Sequence, residues 1–389
     1  MNATAGVLSL TDSQSKVLHE YRQFTATEIA PFANEWDRAG RLPRDIVVAM
    51  GRAGYLGALI PVEYGGSALD IIEFGLLNEA LGVGCSSVRS VLTVHSMVSY
   101  AIARWGKPEE RERWLPRMAR GECVGAFALS EPGAGSDAAR ITTSARPDGD
   151  GYVLDGTKKW ITYGQAADVF LVFARIDERI TAFVVPRDSP GLTVVPIADM
   201  LGTRASMIAE LRFDNCKVPG TALLGRPGFG LVAIAGPALE YGRYSVAWGA
   251  VGLLQACLEE SLSYARQRHQ FGSVIAEHQL IQRLLSDMAT TVSAARLLCL
   301  QAGRLKETEH PDAVAAIWMA KYFASTGAFR AAADTVQIHG ASGCLPTSSA
   351  QRMLRDAKVM ELIEGSTQIQ QIVISERVCA TAPDGEGPR

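Results

Sequence analysis

The sequence predicts an α+β protein with an N-terminal α-helical domain, a middle antiparallel β-barrel or sandwich domain, and a C-terminal helical domain. Apolar residues recur at helical spacing in the first and last parts of the chain, whereas they alternate in the middle part. The strand-like segments follow one another too closely for crossover helices, which favours antiparallel pairing. The 389 residues are enough for two or three units with their own cores.

The N-terminal domain is predicted to span residues 1–122. Two stretches carry apolar residues at roughly helical steps, namely SQSKVLHEYRQFTATEIAPFANEWD and LPRDIVVAMGRAGYLGALIP. Pro116 and the pair Gly121 and Glu122 mark a change of pattern at the end of this region. We therefore expect a helical unit that gives way to strands near residue 123.

The middle domain is predicted to span residues 123–228. The segment GYVLDGTKKWIT alternates between apolar and polar residues, and DVFLVFARI and ITAFVVP are rich in β-branched and aromatic residues. Gly, Pro and Asp separate these segments, as expected for the turns of an antiparallel sheet.

The C-terminal domain is predicted to be helical over residues 229–380. In the segment HQLIQRLLSDMATTVSAARLL, one apolar stripe is formed by Leu280, Leu284, Leu285, Met288, Val292 and Ala295. The remaining residues, 381–389, are polar and rich in Pro and Gly, so we predict a disordered tail.

Composition argues against several classes of function. The net charge of −3 and the pI of about 6.1 do not indicate a nucleic-acid surface. The seven cysteines are scattered without a C-x-x-C pair, which disfavours a disulfide framework or a metal site and fits a reducing cytoplasm. No signal peptide is visible, and the longest candidate membrane span, Tyr244–Leu258, is too short to cross a bilayer. We predict that it forms a buried helix.

Familiar nucleotide-binding and hydrolase signatures are absent from the sequence. It contains no G-x-G-x-x-G, G-x-x-x-x-G-K-[ST], H-E-x-x-H or G-x-S-x-G motif. The order of predicted elements also lacks βαβ alternation, so a dinucleotide-binding Rossmann domain is disfavoured.

The densest loop of the sequence is FALSEPGAGSD, from Phe127 to Asp137. Its two glycines and two serines follow a short apolar strand, and could present backbone N–H groups and hydroxyls to a polar ligand. A plain connection between strands explains the same pattern, and these residues alone leave both interpretations open.

The segment KKWIT contains Trp160 and Thr162, two residues apart. Side chains alternate along a strand, so both are predicted to lie on one face. A tryptophan beside a hydroxyl suits a flat heteroaromatic ligand, although a core tryptophan is the more common reason for such a residue.

The segment RQRHQFG combines arginines with Gln270 and Phe271 near a predicted helix end. Arginine could bind a phosphate and the phenyl ring could stack on a base. The alternative is a solvated helix terminus, which by itself would explain the polar residues.

Arg89 stands in a mostly apolar helical segment, CSSVRSVLTVHSM. A lone buried arginine needs a partner, so it either pairs within the chain or faces a substrate carboxylate. We interpret His95, in the same segment, as a hydrogen-bonded helix residue rather than a catalyst.

Two acids, Glu361 and Glu364, lie three residues apart in the apolar stretch ELIEGSTQIQ. At helical spacing they would share a face, and Gly365 could end the turn. The pair is either a solvated acidic edge or includes a carboxylate held at the mouth of a pocket.

Taken together, these motifs resemble the acyl-CoA dehydrogenase family. EPGAGSD, KKWIT, RHQFG, RDAK and IEGSTQIQ follow one another in the order typical of that family, and the likeness covers roughly residues 10–380. The resemblance implies the acyl-CoA dehydrogenase fold, in which a four-helix bundle forms the C-terminal domain. It also implies an FAD-dependent enzyme that oxidises acyl thioesters.

The resemblance implies that FAD lies between the middle domain and the C-terminal helices. The positions that match contacts to FAD are Phe127, Leu129, Ser130, Trp160, Thr162, Arg268, Gln270, Phe271, Gln337, Gly340, Ser366 and Gln368, with Arg268, Gln270 and Phe271 at the pyrophosphate and adenine. Contacts near Phe271 are made across a subunit interface in the family, which implies a homodimer or homotetramer. The segment QIHGASGC departs from the family's glycine-rich pattern at Ala341 and Cys344, so the pyrophosphate contacts of that loop are left open.

The same resemblance assigns the catalytic base to Glu364. This carboxylate would remove the α-proton, and flavin N5 would accept the β-hydride. An apolar pocket would raise the pKa of the carboxylate and make it a better base. Some relatives supply the base from an earlier helix, but that position is Gly242 here. The residues predicted to contact the substrate are Arg89, Ser136, Tyr241, Arg243 and Gly365, of which Arg89 and Ser136 match positions in relatives.

Three segments, CSSVRSV, YGRYSVAWG and RDAKVMELIEGS, resemble a branch from polyketide gene clusters. Its members oxidise a short polar acyl group on an acyl carrier protein, in the biosynthesis of hydroxymalonyl and methoxymalonyl extender units. One alternative is a short-chain or glutaryl-type acyl-CoA dehydrogenase, and another is a non-catalytic binding module with the same fold. The expected electron acceptor is electron-transfer flavoprotein or oxygen, and no membrane is expected to take part.

Overall fold

The computed structural model describes residues 10–381 and shows a helical part, a β-sheet and a second helical part in that order. The N-terminal helices are α1 (Asp12–Glu28), α2 (Ala33–Ala39), α3 (Arg44–Arg52), α4 (Ile71–Gly84), α5 (Ser86–Trp105) and α6 (Pro108–Ala119). Helix α1 begins with a capping box, in which the Thr11 hydroxyl accepts from the Gln14 N–H and the Gln14 side chain accepts from the Thr11 N–H. The predicted α+β order is confirmed.

Helices α4 and α5 lie in the interior of the protein, with almost every residue buried. For this reason α4 lacks the one-sided apolar stripe of a surface helix. Polar residues such as Arg89 and Asn78 are therefore buried with them and need partners inside the protein.

The middle part forms one sheet of eight strands. Their bounds are β1 (Gly125–Ala128), β2 (Ser144–Asp148), β3 (Gly151–Ile161), β4 (Val169–Ile176), β5 (Arg179–Pro186), β6 (Leu192–Pro196), β7 (Ala209–Pro219) and β8 (Leu223–Leu224). The order is β6-β7-β3-β2-β4-β5-β8, and pairing is mainly antiparallel, as predicted. Strand β1 is an exception, because it pairs with β4 in parallel, and one β2–β4 residue pair is also parallel.

The C-terminal part consists of five helices and a short hairpin. These are α7 (Gly236–Gln267), α8 (Gln279–Glu307), α9 (Ala313–His339), α10 (Ser349–Leu362) and α11 (Thr367–Thr381), with β9 (His269–Gln270) and β10 (Ser273–Val274) after α7. Helix α7 packs against α4, α5, α8, α9 and α10, and the segment predicted as a buried helix lies in its middle. In α8 the predicted stripe is buried at Met288, Val292 and Ala295, but Leu280 at its start is 75% exposed.

No helix within residues 10–381 combines the length and the apolar character needed to span a bilayer. The same residues contain no group of three or more His, Cys, Asp or Glu side chains placed to hold a metal ion. Thr381 is the last residue of α11, and the rest of the predicted disordered tail lies outside the described residues.

Candidate active site

The turn between α10 and α11 directs Glu364 into the protein. Helix α10 ends at Leu362, and Glu364 and Gly365 then both adopt positive φ, of 55° and 94°. The second position suits glycine, because a Cβ there would lie 3.2 Å from the Trp318 ring as well as in the left-handed region. Two successive left-handed residues reverse the chain abruptly, so Glu364 does not continue the face of α10.

Gly242 in α7 makes room for the Glu364 carboxyl group. A Cβ built on Gly242 would collide with Glu364 Oε2 and would lie 2.8 Å from Cδ. Glu364 Oε2 is buried and has no hydrogen-bond partner among residues 10–381. Burial raises the pKa of Glu364, against the opposing effect of nearby cations. The absence of a side chain at Gly242 thus leaves the space that the Glu364 carboxyl group occupies.

Three cationic side chains lie around Glu364 and favour its ionised form: Arg243, Lys321 and Arg89. The Arg243 guanidinium stacks on the Trp318 ring, with its Cζ 4.0 Å from the ring centre. Its Nε is buried without a hydrogen-bond partner among the described residues. Burial lowers the pKa of Arg243, so water does not fully solvate this charge.

Arg89 is fully buried, and its hydrogen bonds within residues 10–381 go to neutral groups. Nη1 donates to Thr93 at 2.9 Å, Nη2 donates to Ser90 at 2.9 Å, and Met360 Sδ lies 3.6 Å from Nη2. Gly249 in α7 leaves room for the side chain, since a Cβ there would lie 2.7 Å from Nε. Burial lowers the pKa of Arg89 to about 10.

A buried hydrogen-bond chain fixes Arg89 from three helices. The Thr93 hydroxyl is 2.5 Å from the Ser245 hydroxyl, which donates to Asn78 Oδ1 at 2.5 Å. Arg89 Nε has no partner in the described part of the chain. The guanidinium is therefore held rigidly while part of its donor capacity is left over, an arrangement suited to an anionic or polar ligand.

Lys321 in α9 is a member of this cluster that the sequence analysis missed. It is fully buried, and its Nζ donates to the Gly365 carbonyl at 2.9 Å. Burial lowers its pKa to about 7, although Glu364 acts in the opposite direction. The available signal was a lysine inside the apolar and small-residue run AVAAIWMAKYFASTGAF.

Two other predicted residues near this turn lie in different environments. Glu361 pairs with Lys358 at 2.7 Å on α10, one turn before Glu364. The Tyr241 ring packs 4.6 Å from the Tyr100 ring, with Lys306 Nζ 4.8 Å from the Tyr241 ring centre. The two glutamates thus differ in their partners. Glu361 is paired with Lys358, whereas Glu364 Oε2 is buried without a hydrogen-bond partner in the described chain.

An ion pair that the sequence analysis did not anticipate joins the first two predicted motifs. Lys158 Nζ donates to Glu131 at 2.7 Å and to the Leu129 carbonyl at 3.0 Å, and both charged side chains are buried. Burial acts to raise the pKa of Glu131, but Lys158 and hydrogen bonds from the 142–143 segment lower it to about 2. The loop that follows β1 is thereby fixed against β3.

The residues along this loop differ in exposure. Phe127 and Leu129 are buried, Ser130 is partly buried, and Ser136 is exposed. The Ser130 carbonyl accepts from the Lys159 N–H at 2.9 Å, which extends the connection to β3. Ser136 is thus available at the surface, whereas the two apolar residues support the loop from beneath.

The prediction that Trp160 and Thr162 share one face of a strand is wrong, because the strand is irregular at Trp160 and ends before Thr162. A bulge interrupts the β3–β7 pairing between Lys158 and Ile161, and Trp160 has a φ of 64°. Strand β3 ends at Ile161, so Thr162 lies in the following turn. Trp160 is 52% exposed, which excludes the core-tryptophan interpretation.

The hairpin after α7 carries three of the predicted cofactor residues, with Arg268 at its base, Gln270 in its first strand and Phe271 at its tip. Arg268 and Gln270 are exposed, and Phe271 is 97% exposed with a φ of 52°. The base of the hairpin is fixed by hydrogen bonds, from the Ile275 N–H to the Arg268 carbonyl at 2.8 Å and between His278 and the Gln270 carbonyl at 3.1 Å. The aromatic tip therefore points away from its own chain.

The remaining predicted cofactor residues lie at the ends of α9 and α11. Gln337 and Gly340 are exposed, and Gly340 has a φ of 58° with no atom within 4 Å of an added Cβ. Ser366 accepts from the Ile369 N–H at 3.4 Å and so caps α11, while Gln368 is exposed. These polar groups are therefore accessible to a ligand.

Comparison with protein families gives a match along nearly the whole chain. Models of the N-terminal, middle and C-terminal domains of acyl-CoA dehydrogenase match residues 11–122, 126–216 and 229–379. The mitochondrial short-chain specific acyl-CoA dehydrogenase of Rattus norvegicus is 37% identical over 374 residues, which cover 95% of this chain and 90% of the relative.

Two solved structures with different described roles share the fold of this chain. A glutaryl-CoA dehydrogenase from Mycobacterium smegmatis in complex with FADH2 has a TM-score of 0.92 at 31% identity, covering 98% of each chain. FkbI, for biosynthesis of the methoxymalonyl extender unit of the polyketide Fk520, has a TM-score of 0.85 at 35% identity. That match covers 93% of this chain and 99% of FkbI.

Proposed function

Since this chain belongs to the acyl-CoA dehydrogenase family and is an FAD-dependent oxidoreductase, we propose that it dehydrogenates a short acyl thioester with a polar or anionic distal group. The thioester carrier is proposed to be an acyl carrier protein. The observation that carries this proposal is Arg89, a buried cation whose contacts in the described chain are neutral. The carboxylates of Glu364 and Asp356 act on Arg89 without hydrogen-bonding to it. A purely hydrocarbon acyl group would therefore leave the guanidinium without a hydrogen-bonded anion.

The described residues fit FAD as the cofactor. Trp160 and Phe271 are aromatic side chains exposed to solvent, and Gln337 and Gln368 are accessible polar groups beside glycine-containing turns. When bound, FAD accepts the hydrogen and the electron pair that leave the β-carbon of the substrate. We assign Trp160, Thr162, Ser130 and Ser366 to hold the flavin.

Glu364 is the proposed base for the α-proton. Its Oε2 is buried without a partner, and burial raises its pKa toward the range in which a carboxylate is an effective base. Gly242 leaves the space that this carboxylate needs. The Glu364 backbone N–H is proposed to polarise the thioester carbonyl, which would acidify the α-proton.

Arg89 and Arg243 are proposed to bind the distal end of the acyl group. Arg89 is fully buried and Arg243 is partly buried, and burial lowers the pKa of each. A substrate carboxylate or hydroxyl would accept charge-assisted hydrogen bonds from the two guanidinium groups and so replace the hydrogen bonds to water that they lose on burial. Tyr241 lies two residues before Arg243 in α7, and we propose that it lines the same end of the acyl site. We assign Ser136 and Gly365 to contacts with the thioester arm.

The carrier-protein assignment is supported by the likeness to FkbI, and the CoA alternative by the likeness to glutaryl-CoA dehydrogenase. The distinguishing experiment mixes the anaerobic yellow enzyme with one short hydroxyacyl group, attached either to carrier protein or to CoA. Faster bleaching of the flavin absorbance by the carrier form is expected. Equal or faster bleaching by the CoA form would favour the alternative, and no bleaching by either would contradict the choice of acyl group.

We also propose a homodimer or homotetramer in which the hairpin tip reaches a second subunit. The 97% exposure of Phe271 on a hairpin otherwise fixed at its base supports this proposal. The proposed acceptor of the electrons is electron-transfer flavoprotein or oxygen.

We propose that the protein works in a reducing cytoplasm, and the seven free cysteine thiols support this. We also propose that the domains meet at residues 122/123, 228/229 and 380/381.

A further inference from the structure

Lys321 is a buried ammonium whose hydrogen bond in the described chain goes to one backbone carbonyl. Its neighbours on the inner face of α9, Ile317, Ala320 and Ala324, are buried apolar residues. Its Nζ donates to the Gly365 carbonyl at 2.9 Å. Removing a charge from water is costly unless it has partners, so an apolar residue of similar length would suit this packing better.

The Gly365 carbonyl receives a second hydrogen bond, from Gln370 Nε2 at 2.6 Å. Gln370 is itself fully buried. One carbonyl thus joins α9 and α11 to the turn that carries Glu364, and both Glu364 and Gly365 have positive φ. Since a non-glycine residue rarely adopts this conformation, fixing the neighbouring carbonyl helps to hold Glu364 in place.

The charged groups that face Lys321 come from several elements. Glu364 in the turn and Glu361 in α10 favour its protonated form, whereas Arg243 in α7 and Arg89 in α5 oppose it. In return, Lys321 lowers the pKa of Glu364 and so favours the carboxylate. Burial lowers the pKa of Lys321 to about 7, and it raises the pKa of Glu364.

We propose that Lys321 is a positioning residue that holds the Glu364–Gly365 turn through the Gly365 carbonyl, and that its ammonium promotes ionisation of the base. This inference rests on the proposed role of Glu364. At low pH the protonated lysine stabilises the carboxylate, which extends activity to more acidic conditions. As pH rises through about 7 the lysine loses its proton, but by then the carboxylate needs less support.

The test uses the FAD-loaded enzyme and its neutral variants Lys321→Gln and Lys321→Met. The rate of anaerobic flavin bleaching is measured against pH, together with the infrared carboxyl band that disappears in Glu364→Gln. Removing the ammonium should raise the midpoint of both acid titrations by about one pH unit. Below that midpoint, the bleaching rate should fall about tenfold relative to the wild type.

Two further variants separate charge from anchoring. Gln370→Met removes the other donor to the same carbonyl without changing a charge, so it should slow bleaching equally at every pH. Lys358→Met removes a lysine that pairs with Glu361 on the neighbouring helix, and both titrations should keep the wild-type midpoint.

A midpoint that stays unchanged in both neutral Lys321 variants would overturn the inference. Lys321→Arg keeps the charge and should keep the wild-type midpoint, and it provides the test if the neutral variants fail to fold. A shift in Lys321→Arg would contradict the role of charge. Bleaching of Glu364→Gln at the wild-type rate would instead show that the proposed base is wrong, which is a separate failure.

Discussion

The Glu364 pocket and the hairpin tip are opposite kinds of site. By the Glu364 pocket we mean the buried cluster of Glu364 with Arg89, Arg243 and Lys321. In the pocket, Glu364 Oε2, Arg89 Nε and Arg243 Nε are buried without hydrogen-bond partners among residues 10–381. At the hairpin, Phe271 is 97% exposed and its polar neighbours reach solvent. The groups of the pocket thus come from one chain, and we propose that their unused hydrogen-bonding capacity serves a small polar ligand. The hairpin presents an exposed surface, which we propose is covered by a cofactor or another subunit.

The contrast predicts that changes in the pocket alter chemistry, whereas changes at the hairpin alter cofactor binding. The largest effect is expected for Glu364→Gln, which keeps the shape of the side chain but removes the base. Substrate bleaching of the flavin should slow by about 10²- to 10⁴-fold while FAD content stays at the wild-type level. Stopped-flow absorbance measures the rate, and Glu361→Gln is the matched control with a rate close to wild type.

The next largest effect is expected for Gly242→Ala. The added methyl group collides with Glu364 Oε2, and its Cβ would lie 2.9 Å from Met97 Sδ. Displacing the base by about 1 Å should slow bleaching roughly 100-fold. Gly236→Ala on the same helix is the control, since its Cβ meets only one atom, at 3.6 Å. Similar rates for both variants would show that the carboxylate does not need this space.

Arg89→Met should change substrate preference rather than overall activity. Loss of the buried cation should reduce kcat/KM for the hydroxyacyl thioester about 30-fold, which corresponds to about 2 kcal/mol. The loss for butyryl-CoA should be much smaller, because that acyl group has no polar end. The ratio of the two kcat/KM values is the measurement, and equal losses on both substrates would rule out the proposed role of Arg89.

The smallest effect is expected for Phe271→Ala at the hairpin. The Kd for FAD should rise roughly fivefold, from the loss of about 1 kcal/mol of stacking. Thermal stability of the apoprotein should change little, because the ring is 97% exposed in its own chain. Val62→Ala, another exposed apolar position, should leave FAD affinity unchanged. An unchanged Kd in Phe271→Ala would place the cofactor contact elsewhere.

Much of the fold could be predicted from local patterns. Helical spacing and strand alternation identified the three parts, because periodicity is a property of neighbouring residues. The parallel pairing of β1 with β4 was missed, since these strands are joined through a long excursion that includes β2 and β3. The bulge at Trp160 was missed for a related reason, as it depends on pairing with β7.

The site was predicted only in part. Motif order predicted roles for Glu364 and for residues that the structure leaves exposed, but the resemblance did not point to Lys321 or the Lys158–Glu131 pair. Lys321 and Lys158 are both buried, and their partners, Gly365 and Glu131, are distant from them in sequence. A sequence pattern marks such a lysine as unusual in its surroundings, but it does not identify the carbonyl or carboxylate that it meets.

By itself, the sequence determined the α-β-α order, the presence of two acids at the end of α10, and a single arginine in an apolar helix. Only the tertiary structure decided that Glu361 is paired with Lys358 while Glu364 is enclosed beside Gly242. It also decided that Arg89 keeps unused donor capacity and that Lys321 reaches the Gly365 carbonyl. The physical reason is that removal from water, which sets the pKa and the binding capacity of a charged group, depends on contacts between residues far apart in the chain.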